Sequence, residues 1–242
     1  MFSTAWIAHL YTALGAGTAL AATLAIVEGE YRVAFLWLAL AVFIDTTDGV
    51  LARGLRVQER LPSFDGRRLD DIIDYLTYVF VPVLLVLHAG LLPAGTGVWV
   101  GVAVLLASAY GFSSVEAKVR EGDYFFTGFP SYWNIVAVYL YVWRLPGELA
   151  AGLLLLLVFL VFVPIRYVYP SRTVTLQGLT IALGVFWAAC IVIAVWQLPD
   201  TSGPWLTVSL VFPVYYTVLS LWLHFRGAGK AAKRASGGEM AP

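Results

Sequence analysis

The acidic residues between positions 45 and 74 are the part of the sequence best suited to chemistry. Four of them form two pairs, Asp45 with Asp48 and Asp70 with Asp74. Residues three or four positions apart share one face of a helix, so each pair puts two carboxylates on one side of a helix. A short connection joins the two helices, which makes them antiparallel neighbours. We therefore expect the two acidic faces to meet in one pocket.

A pocket with four carboxylates requires compensation of its charge. Carboxylates that are half buried together repel one another, and either protonation or a bound cation relieves the repulsion. Oxygen ligands without a convergent set of His or Cys side chains suit Mg²⁺ or Mn²⁺ rather than Zn²⁺. Two such ions about 4 Å apart can hold a diphosphate and stabilise charge on the attacking and leaving oxygens. The predicted chemistry is phosphoryl-group transfer.

Small residues accompany the acids on the same helix faces: Gly49, Ala52 and Gly66. Their missing bulk either leaves a slot in which a nucleotide approaches the backbone or permits close packing of membrane helices. Arg53 is either a phosphate ligand or a basic residue of the cytoplasmic side, and we favour phosphate. On the first apolar segment, His9 and Thr12 are candidates to border the slot, although a lone His is more often a structural residue.

The composition places these helices in a membrane. Of the 242 residues, 60% are hydrophobic and 12% are charged, against about 25% charged residues in ordinary soluble domains. Several apolar runs reach about 20 residues, the length that crosses a hydrocarbon core. The sequence predicts an all-α, polytopic membrane bundle with eight spans: 4–27, 32–54, 68–91, 97–115, 131–143, 147–165, 175–198 and 204–225.

The distribution of basic residues predicts the orientation of this bundle. If the N-terminus is cytoplasmic, all but two of the 15 Lys and Arg residues fall on the cytoplasmic side, the exceptions being Arg32 and Arg144. Such an excess is typical of cytoplasmic loops. Both termini and the acidic residues are then cytoplasmic. We expect one catalytic domain over residues 1–226 and a flexible basic tail over residues 227–242.

The acidic segment matches a known pattern at every specified position: D-x-x-D-G-x-x-A-R, a short connection, and G-x-x-x-D-x-x-x-D. On these residues the chain resembles the CDP-alcohol phosphotransferase family. Residues 64–78 and 125–134 also look like the bacterial branch that makes phosphatidylcholine. That likeness covers most of the chain.

The resemblance implies a transferase of the bacterial inner membrane, commonly a homodimer, that works in phospholipid biosynthesis. Its substrates would be CDP-diacylglycerol and choline, and its products phosphatidylcholine and CMP. The ligands of two Mn²⁺ or Mg²⁺ ions would be Asp45, Asp48 and Asp70, with Asp74 as general base and further metal contact. The CDP moiety would be lined by Gly49, Ala52, Arg53 and Gly66. Many relatives have six spans, so the last two need not belong to the catalytic core.

Choline has a quaternary ammonium group, which proteins recognise by aromatic faces and nearby acids. The candidates near the cytoplasmic side are Tyr78, Asp71, Glu116, Tyr110, Tyr132 and Asn134. Tyr78 is the first choice because it lies one helical turn after Asp74. Asp71 points away from the metal face, and it either binds choline, orients an Arg or caps the loop. Aromatic residues are also common at membrane interfaces for reasons unrelated to ligands.

Two alternatives remain open. The acceptor could be glycerol phosphate, serine or an inositol phosphate, but a phosphorylated acceptor needs extra basic residues in the pocket, and most basic residues here are in loops. This favours an uncharged or cationic alcohol. A cation transporter would instead carry polar residues across the whole membrane depth, whereas these acids cluster at one edge. We expect membrane lipids, and no nucleic acid, as partners.

Overall fold

The computed structural model describes residues 4–114, 125–170 and 173–237, with side chains described as far as Arg226. The helices in chain order are α1 (Trp6–Val27), α2 (Tyr31–Gly54), α3 (Val57–Arg60), α4 (Gly66–Asp74), a π-helical segment (Tyr75–Phe80), α5 (Val81–His88), α6 (Gly97–Ser113), α7 (Trp133–Trp143), α8 (Gly147–Phe162), α9 (Gln177–Gln197), α10 (Trp205–Ser209) and α11 (Val211–Gly237). The strands are β1 (Phe125–Thr127) and β2 (Arg166–Val168). The molecule is thus almost entirely helical.

The apolar helices account for every predicted span. Five are long and apolar enough to cross a membrane: Trp6–Val27, Tyr31–Gly54, Gly66–His88, Gln177–Gln197 and Trp205–Arg226. Three are shorter: Gly97–Ser113, Trp133–Trp143 and Gly147–Phe162. Each matches a predicted span to within a few residues, and the prediction of a multi-pass membrane helical bundle is confirmed.

Helix α1 packs against α2, α4 and α5. Its buried face consists largely of small residues, including Ala8, Gly15, Ala19, Ala22 and Ala25. Small residues let membrane helices approach closely, where van der Waals contacts and hydrogen bonds hold them together. A side chain on Gly15 would collide with Ile73 of α4. The acidic helices α2 and α4 are therefore both held against α1.

The third span changes its helical geometry just after its acidic residues. It begins at α4, where the Asp65 carboxylate accepts a hydrogen bond from the Arg68 backbone N–H at 3.0 Å, and it becomes π-helical from Tyr75 to Phe80. Pro82 follows in α5. Because proline has no N–H for the carbonyl four residues earlier, the normal hydrogen-bond ladder is interrupted here. Single π-turns of this kind are frequent at functional sites.

A short antiparallel pair of strands accompanies the helices. β1 pairs with β2, with Phe126 opposite Tyr167. Strands of three residues are too short to show a periodicity in the sequence. The connection from β1 to α7 is irregular, and Gly128 follows β1 with a φ of +82°.

The last two spans are tied to the rest of the bundle by hydrogen bonds. The Ser220 hydroxyl of α11 accepts a hydrogen bond from the Val168 N–H of β2 at 3.0 Å. The Tyr139 hydroxyl of α7 lies 2.7 Å from the Ser209 hydroxyl of α10, and the Trp187 indole of α9 donates to Tyr139 at 3.2 Å. These helices therefore pack on the elements that precede them.

The last helix extends into the segment predicted as a tail. The sequence predicted a flexible segment from residue 227, whereas α11 continues through Gly237. Its residues between 227 and 237 include Ala, Lys and Arg, which are good helix formers and extend the preceding helix. Residues 238–242 lie outside the described part of the chain.

Gly128→Ala should destabilise the protein. A side chain at this position would collide with the Val161 carbonyl oxygen, and the positive φ is itself unfavourable for alanine. We expect a loss of about 1–3 kcal/mol, measured as a lower thermal unfolding midpoint of the detergent-purified protein. The control is Gly178→Ala, because a side chain at Gly178 meets nothing within 4 Å. Equal midpoints for the two variants would contradict this account of the β1–α7 connection.

Candidate active site

Carboxylates from two helices meet at one place. Asp45 of α2 and the α4 residues Asp70 and Asp74 each offer an oxygen, and these oxygens lie within 4.8 Å of one another. The three side chains are partly buried. We call these three residues the acidic triad. The structure thus brings together three of the four carboxylates that the sequence predicted to converge.

Asp48, the fourth carboxylate, is buried and held by α1. The Thr12 hydroxyl donates a hydrogen bond of 2.6 Å to its Oδ2 atom. One position earlier on each helix, the Tyr11 and Thr47 hydroxyls are 2.7 Å apart. The Asp48 carboxyl is also within electrostatic range of that of Asp70. Asp48 is therefore connected to the acidic triad, and α1 determines its orientation.

Tyr78 of the π-helical segment also contacts the acidic triad. Its buried hydroxyl donates a hydrogen bond of 2.8 Å to Asp45 Oδ2. Such a bond leaves Oδ1 and the second lone pair of Oδ2 available while it restricts the carboxylate rotamer. The sequence proposed Tyr78 as a choline residue, and the structure gives it this additional positioning contact.

The donor set of the acidic triad fits a hard divalent cation. Its ligand atoms are carboxylate oxygens, which Mg²⁺ and Mn²⁺ prefer, and the triad contains neither His nor Cys. Octahedral coordination at 2.0–2.1 Å places neighbouring oxygens about 3–4 Å apart, so a separation within 4.8 Å requires only small side-chain adjustments. Positive charge would also relieve the repulsion among the three carboxylates.

Arg53 is the basic residue nearest to this pattern on α2. Its guanidinium lies over Gly49, where an added Cβ would be 3.2 Å from Nη1. The Arg53 side chain is exposed and forms no ion pair with a carboxylate in the described part of the chain. Ala52 packs against a small apolar cluster that contains Ala5, Ala8 and Val57. The arrangement leaves the guanidinium available to an anion.

Gly66 is adjacent to His9 of α1. An added Cβ at Gly66 would lie 2.6 Å from His9 Cε1, so the space left by glycine is filled by the imidazole. The His9 ring also packs against Phe64, with 4.3 Å between the ring centroids. His9 is 7% exposed, and its Nε2 atom has no hydrogen-bond partner among the described residues. The sequence left open whether Gly66 forms a nucleotide slot or permits close helix packing. The contact with His9 directly supports close packing.

The structure separates the candidate choline residues. The Tyr78 and Tyr132 rings are neighbours, with 6.1 Å between their centroids, and the Tyr78 hydroxyl in turn binds Asp45 of the acidic triad. Tyr110 is 55% exposed and packs against Phe162 of α8. Of the six candidates, Tyr78 and Tyr132 are thus the aromatic residues placed at the acids.

The remaining candidates have other surroundings. The Asn134 side-chain oxygen accepts a hydrogen bond from the Ile135 N–H at 2.9 Å. Asp71 is partly buried and is not a member of the acidic triad. Glu116 lies outside the described residues. Sequence reasoning missed the contact between the Tyr11 and Thr47 hydroxyls, which joins α1 to α2 beside Asp48; Tyr11 is distant in sequence from the acidic pattern, and no local signal identifies it.

Comparison with known proteins relates this site to a family. The family model described as CDP-alcohol phosphatidyltransferase matches residues 5–164. A protein of Legionella pneumophila named phosphatidylcholine synthase is 36% identical over 231 residues, which cover 91% of this chain and 89% of that protein. The protein of the same name from Pseudomonas aeruginosa is 36% identical, covering 90% of this chain and 91% of its own. One from Borreliella burgdorferi is 31% identical, with 92% and 95% covered.

Tyr78→Phe should weaken metal binding without removing a ligand. Loss of the hydrogen bond to Asp45 frees the carboxylate to rotate, and loss of such a supporting contact typically lowers metal affinity by about 10–100-fold. Titration of the purified protein with Mn²⁺, followed by electron paramagnetic resonance, measures this change. Tyr75→Phe is the control, because the Tyr75 hydroxyl donates to the Leu105 carbonyl instead. An unchanged Mn²⁺ affinity in Tyr78→Phe would disprove the positioning role.

Proposed function

The chain belongs to the CDP-alcohol phosphatidyltransferase family, and from this premise we propose that it transfers the phosphatidyl group of CDP-diacylglycerol to choline. The products are phosphatidylcholine and CMP. The observation that carries the proposal is the acidic triad, which is formed by the two halves of the family's sequence pattern. The acceptor is supported by the names of relatives that match about nine-tenths of the chain.

In this proposal, Asp45, Asp48, Asp70 and Asp74 hold two Mn²⁺ or Mg²⁺ ions. When bound, these ions supply charge neutralisation for the diphosphate and for the leaving CMP. Asp45 is oriented by Tyr78 and Asp48 by Thr12, so both α2 ligands are restrained by hydrogen bonds. This restraint lowers the cost of arranging ligands around a cation.

Asp74 is proposed as the general base. An alcohol is a poor nucleophile until a positioned base accepts its proton in the transition state. The choline oxygen forms a bond to the lipid-bearing phosphorus as its proton passes to the Asp74 carboxylate. The bond from that phosphorus to the bridging oxygen breaks, and its electron pair leaves with CMP. The position of Asp74 in the acidic triad supports this role, because the proton acceptor and the reacting phosphorus must be adjacent.

The CDP moiety is proposed to lie along α1, α2 and the start of α4. Its neighbours would be Gly49, Ala52, Arg53, Gly66 and Thr12. Arg53 suits the diphosphate because its guanidinium is exposed and forms no ion pair within the described ranges. His9 adds an unpaired Nε2 beside Gly66, which is suited to a hydrogen bond with the nucleotide.

The choline group would lie on the other side of the acidic triad, toward Tyr78 and Tyr132. The other candidate choline residues remain predictions: Asp71, Glu116, Tyr110 and Asn134.

The topology of the membrane protein is also a proposal. The concentration of Lys and Arg in alternate loops supports cytoplasmic termini and a cytoplasmic active site. Access from the cytoplasm suits a water-soluble acceptor and the release of CMP. From the likeness to the family, we further propose that the protein lies in the bacterial inner membrane and forms a homodimer.

The purified protein should convert CDP-diacylglycerol and choline to phosphatidylcholine when Mn²⁺ or Mg²⁺ is present. We expect removal of divalent ions with EDTA to abolish turnover and Mn²⁺ to restore it. The measurement is labelled phosphatidylcholine together with CMP release, in mixed micelles. Glycerol phosphate, serine and inositol phosphate are tested in parallel. Conversion of one of these without conversion of choline would disprove the proposed acceptor.

Asp74→Asn should lower kcat by about 10²–10⁴-fold, the usual contribution of a general base. Asparagine is nearly isosteric with aspartate but does not accept the proton. Retained Mn²⁺ binding by this variant would distinguish loss of the base from loss of a metal ligand. Asp200→Asn is the control, because Asp200 is exposed after α9 and its carboxylate accepts a hydrogen bond from Ser202. Wild-type kcat in Asp74→Asn would refute the base assignment.

A further inference from the structure

The polar edge of the His9 imidazole on α1 faces Gly66, at the start of α4. The three atoms nearest to a Cβ added at Gly66 are His9 Cε1 at 2.6 Å, Nδ1 at 3.2 Å and Nε2 at 3.8 Å. These atoms form the ring edge that carries both nitrogens. The imidazole therefore directs its hydrogen-bonding edge into the space that glycine leaves.

This contact lies one helical turn from the acidic residues. Thr12, whose hydroxyl donates to Asp48, follows His9 by three positions on α1, and Asp70 follows Gly66 by four positions on α4. Residues with these spacings share one helix face, and four residues span about 6 Å of helix axis. His9 and Gly66 thus form the layer next to Asp48 and Asp70, toward the N-terminal ends of α1 and α4.

His9 is buried, and its Nε2 atom has no hydrogen-bond partner among the described residues. The other two histidines of the chain are paired: His88 Nδ1 lies 3.0 Å from the Tyr31 hydroxyl, and His224 Nδ1 accepts a hydrogen bond from the Arg166 N–H at 3.3 Å. An unpaired buried polar atom costs about 1–3 kcal/mol. Because an apolar side chain would fill the same space without that cost, a histidine at this position indicates a partner that binds during function.

Two aromatic rings hold the imidazole in this orientation. Its centroid lies 4.3 Å from that of Phe64 and 5.8 Å from that of Trp6. The Trp6 and Phe64 rings also contact each other edge to face at 5.1 Å. Arg60 Nη1 donates a hydrogen bond of 3.1 Å to the Thr4 hydroxyl, which joins the connection before α4 to the start of α1. The imidazole is thus supported by aromatic contacts while its nitrogen-bearing edge is directed toward Gly66.

We infer that His9 binds the cytidine part of CDP-diacylglycerol, and that residue 66 is glycine because it accommodates this imidazole. The inference rests on the proposed function. With the diphosphate at the acidic triad, the cytidine end of the nucleotide extends to one side of it, and the layer of His9 and Gly66 offers an unpaired polar group there. A cytosine base and ribose hydroxyls include both donors and acceptors, so they suit the Nε2 atom in either tautomer of the imidazole.

Binding of the product CMP to the purified protein with Mn²⁺ tests this inference, measured by isothermal titration calorimetry. We expect His9→Ala to weaken CMP binding by about 10-fold, which corresponds to one hydrogen bond of about 1.4 kcal/mol. His9→Gln, which keeps an amide near the position of Nε2, should lose less. The Mn²⁺ affinity and the KM for choline should be unchanged, whereas a purely structural role would change them together with CMP binding.

His88→Ala is the control for loss of an imidazole, because His88 lies at the other end of the third span and contacts Tyr31. CMP affinity equal to wild type in His9→Ala would overturn the inference, even if the wild type makes phosphatidylcholine. Wild-type protein that neither binds CMP nor makes phosphatidylcholine would overturn the proposed function itself.

A double-mutant cycle with Gly66→Ala tests the role of the glycine. In the wild-type background the added methyl group displaces the imidazole, so Gly66→Ala should also weaken CMP binding by about 10-fold. In the His9→Ala background there is no imidazole to displace, and Gly66→Ala should have little further effect. Losses that multiply to about 100-fold would mean that the two residues act independently and would overturn the assignment of Gly66 to His9. If Gly66→Ala alone does not fold, His9→Ala should restore its folding, and failure to do so would overturn the same assignment.

Discussion

Repulsion among carboxylates at the edge of an apolar bundle is the constraint on which the rest of this structure depends. Asp45, Asp70 and Asp74 present oxygens within 4.8 Å of one another, an arrangement that is unfavourable unless protonation or a bound cation relieves the repulsion. Ionisable groups at membrane depth are costly and mark functional sites. In the proposed mechanism this repulsion is useful, because it favours binding of divalent ions and through them of a diphosphate.

The scaffold around the acids restrains them from two directions. On one side, α1 lies close to α2 through its small residues and binds Asp48 through Thr12. On the other side, the π-helical turn after Asp74 carries Tyr78, whose hydroxyl binds Asp45. Ligand carboxylates that are already oriented lose less freedom when a cation binds. The helix packing thus also orients the carboxylates that the predicted chemistry requires.

The C-terminal spans have a different relation to the site. They lie beyond the part of the chain that the family model matches, yet α11 binds β2 through Ser220, and β2 pairs with β1. The strand pair therefore connects the last span to the start of α7, where Tyr132 lies beside Tyr78.

The sequence by itself determined the eight apolar segments and the stripes of acids on α2 and α4, because hydropathy and helical spacing are local properties. The pattern of Asp and Gly residues was also sufficient to identify the family. Only the tertiary structure decided that β1 pairs with β2, that Thr12 binds Asp48, that His9 fills the space at Gly66, and that Tyr132 reaches Tyr78. Each of these contacts joins residues far apart in the chain, and their partners are selected by packing that no local pattern encodes.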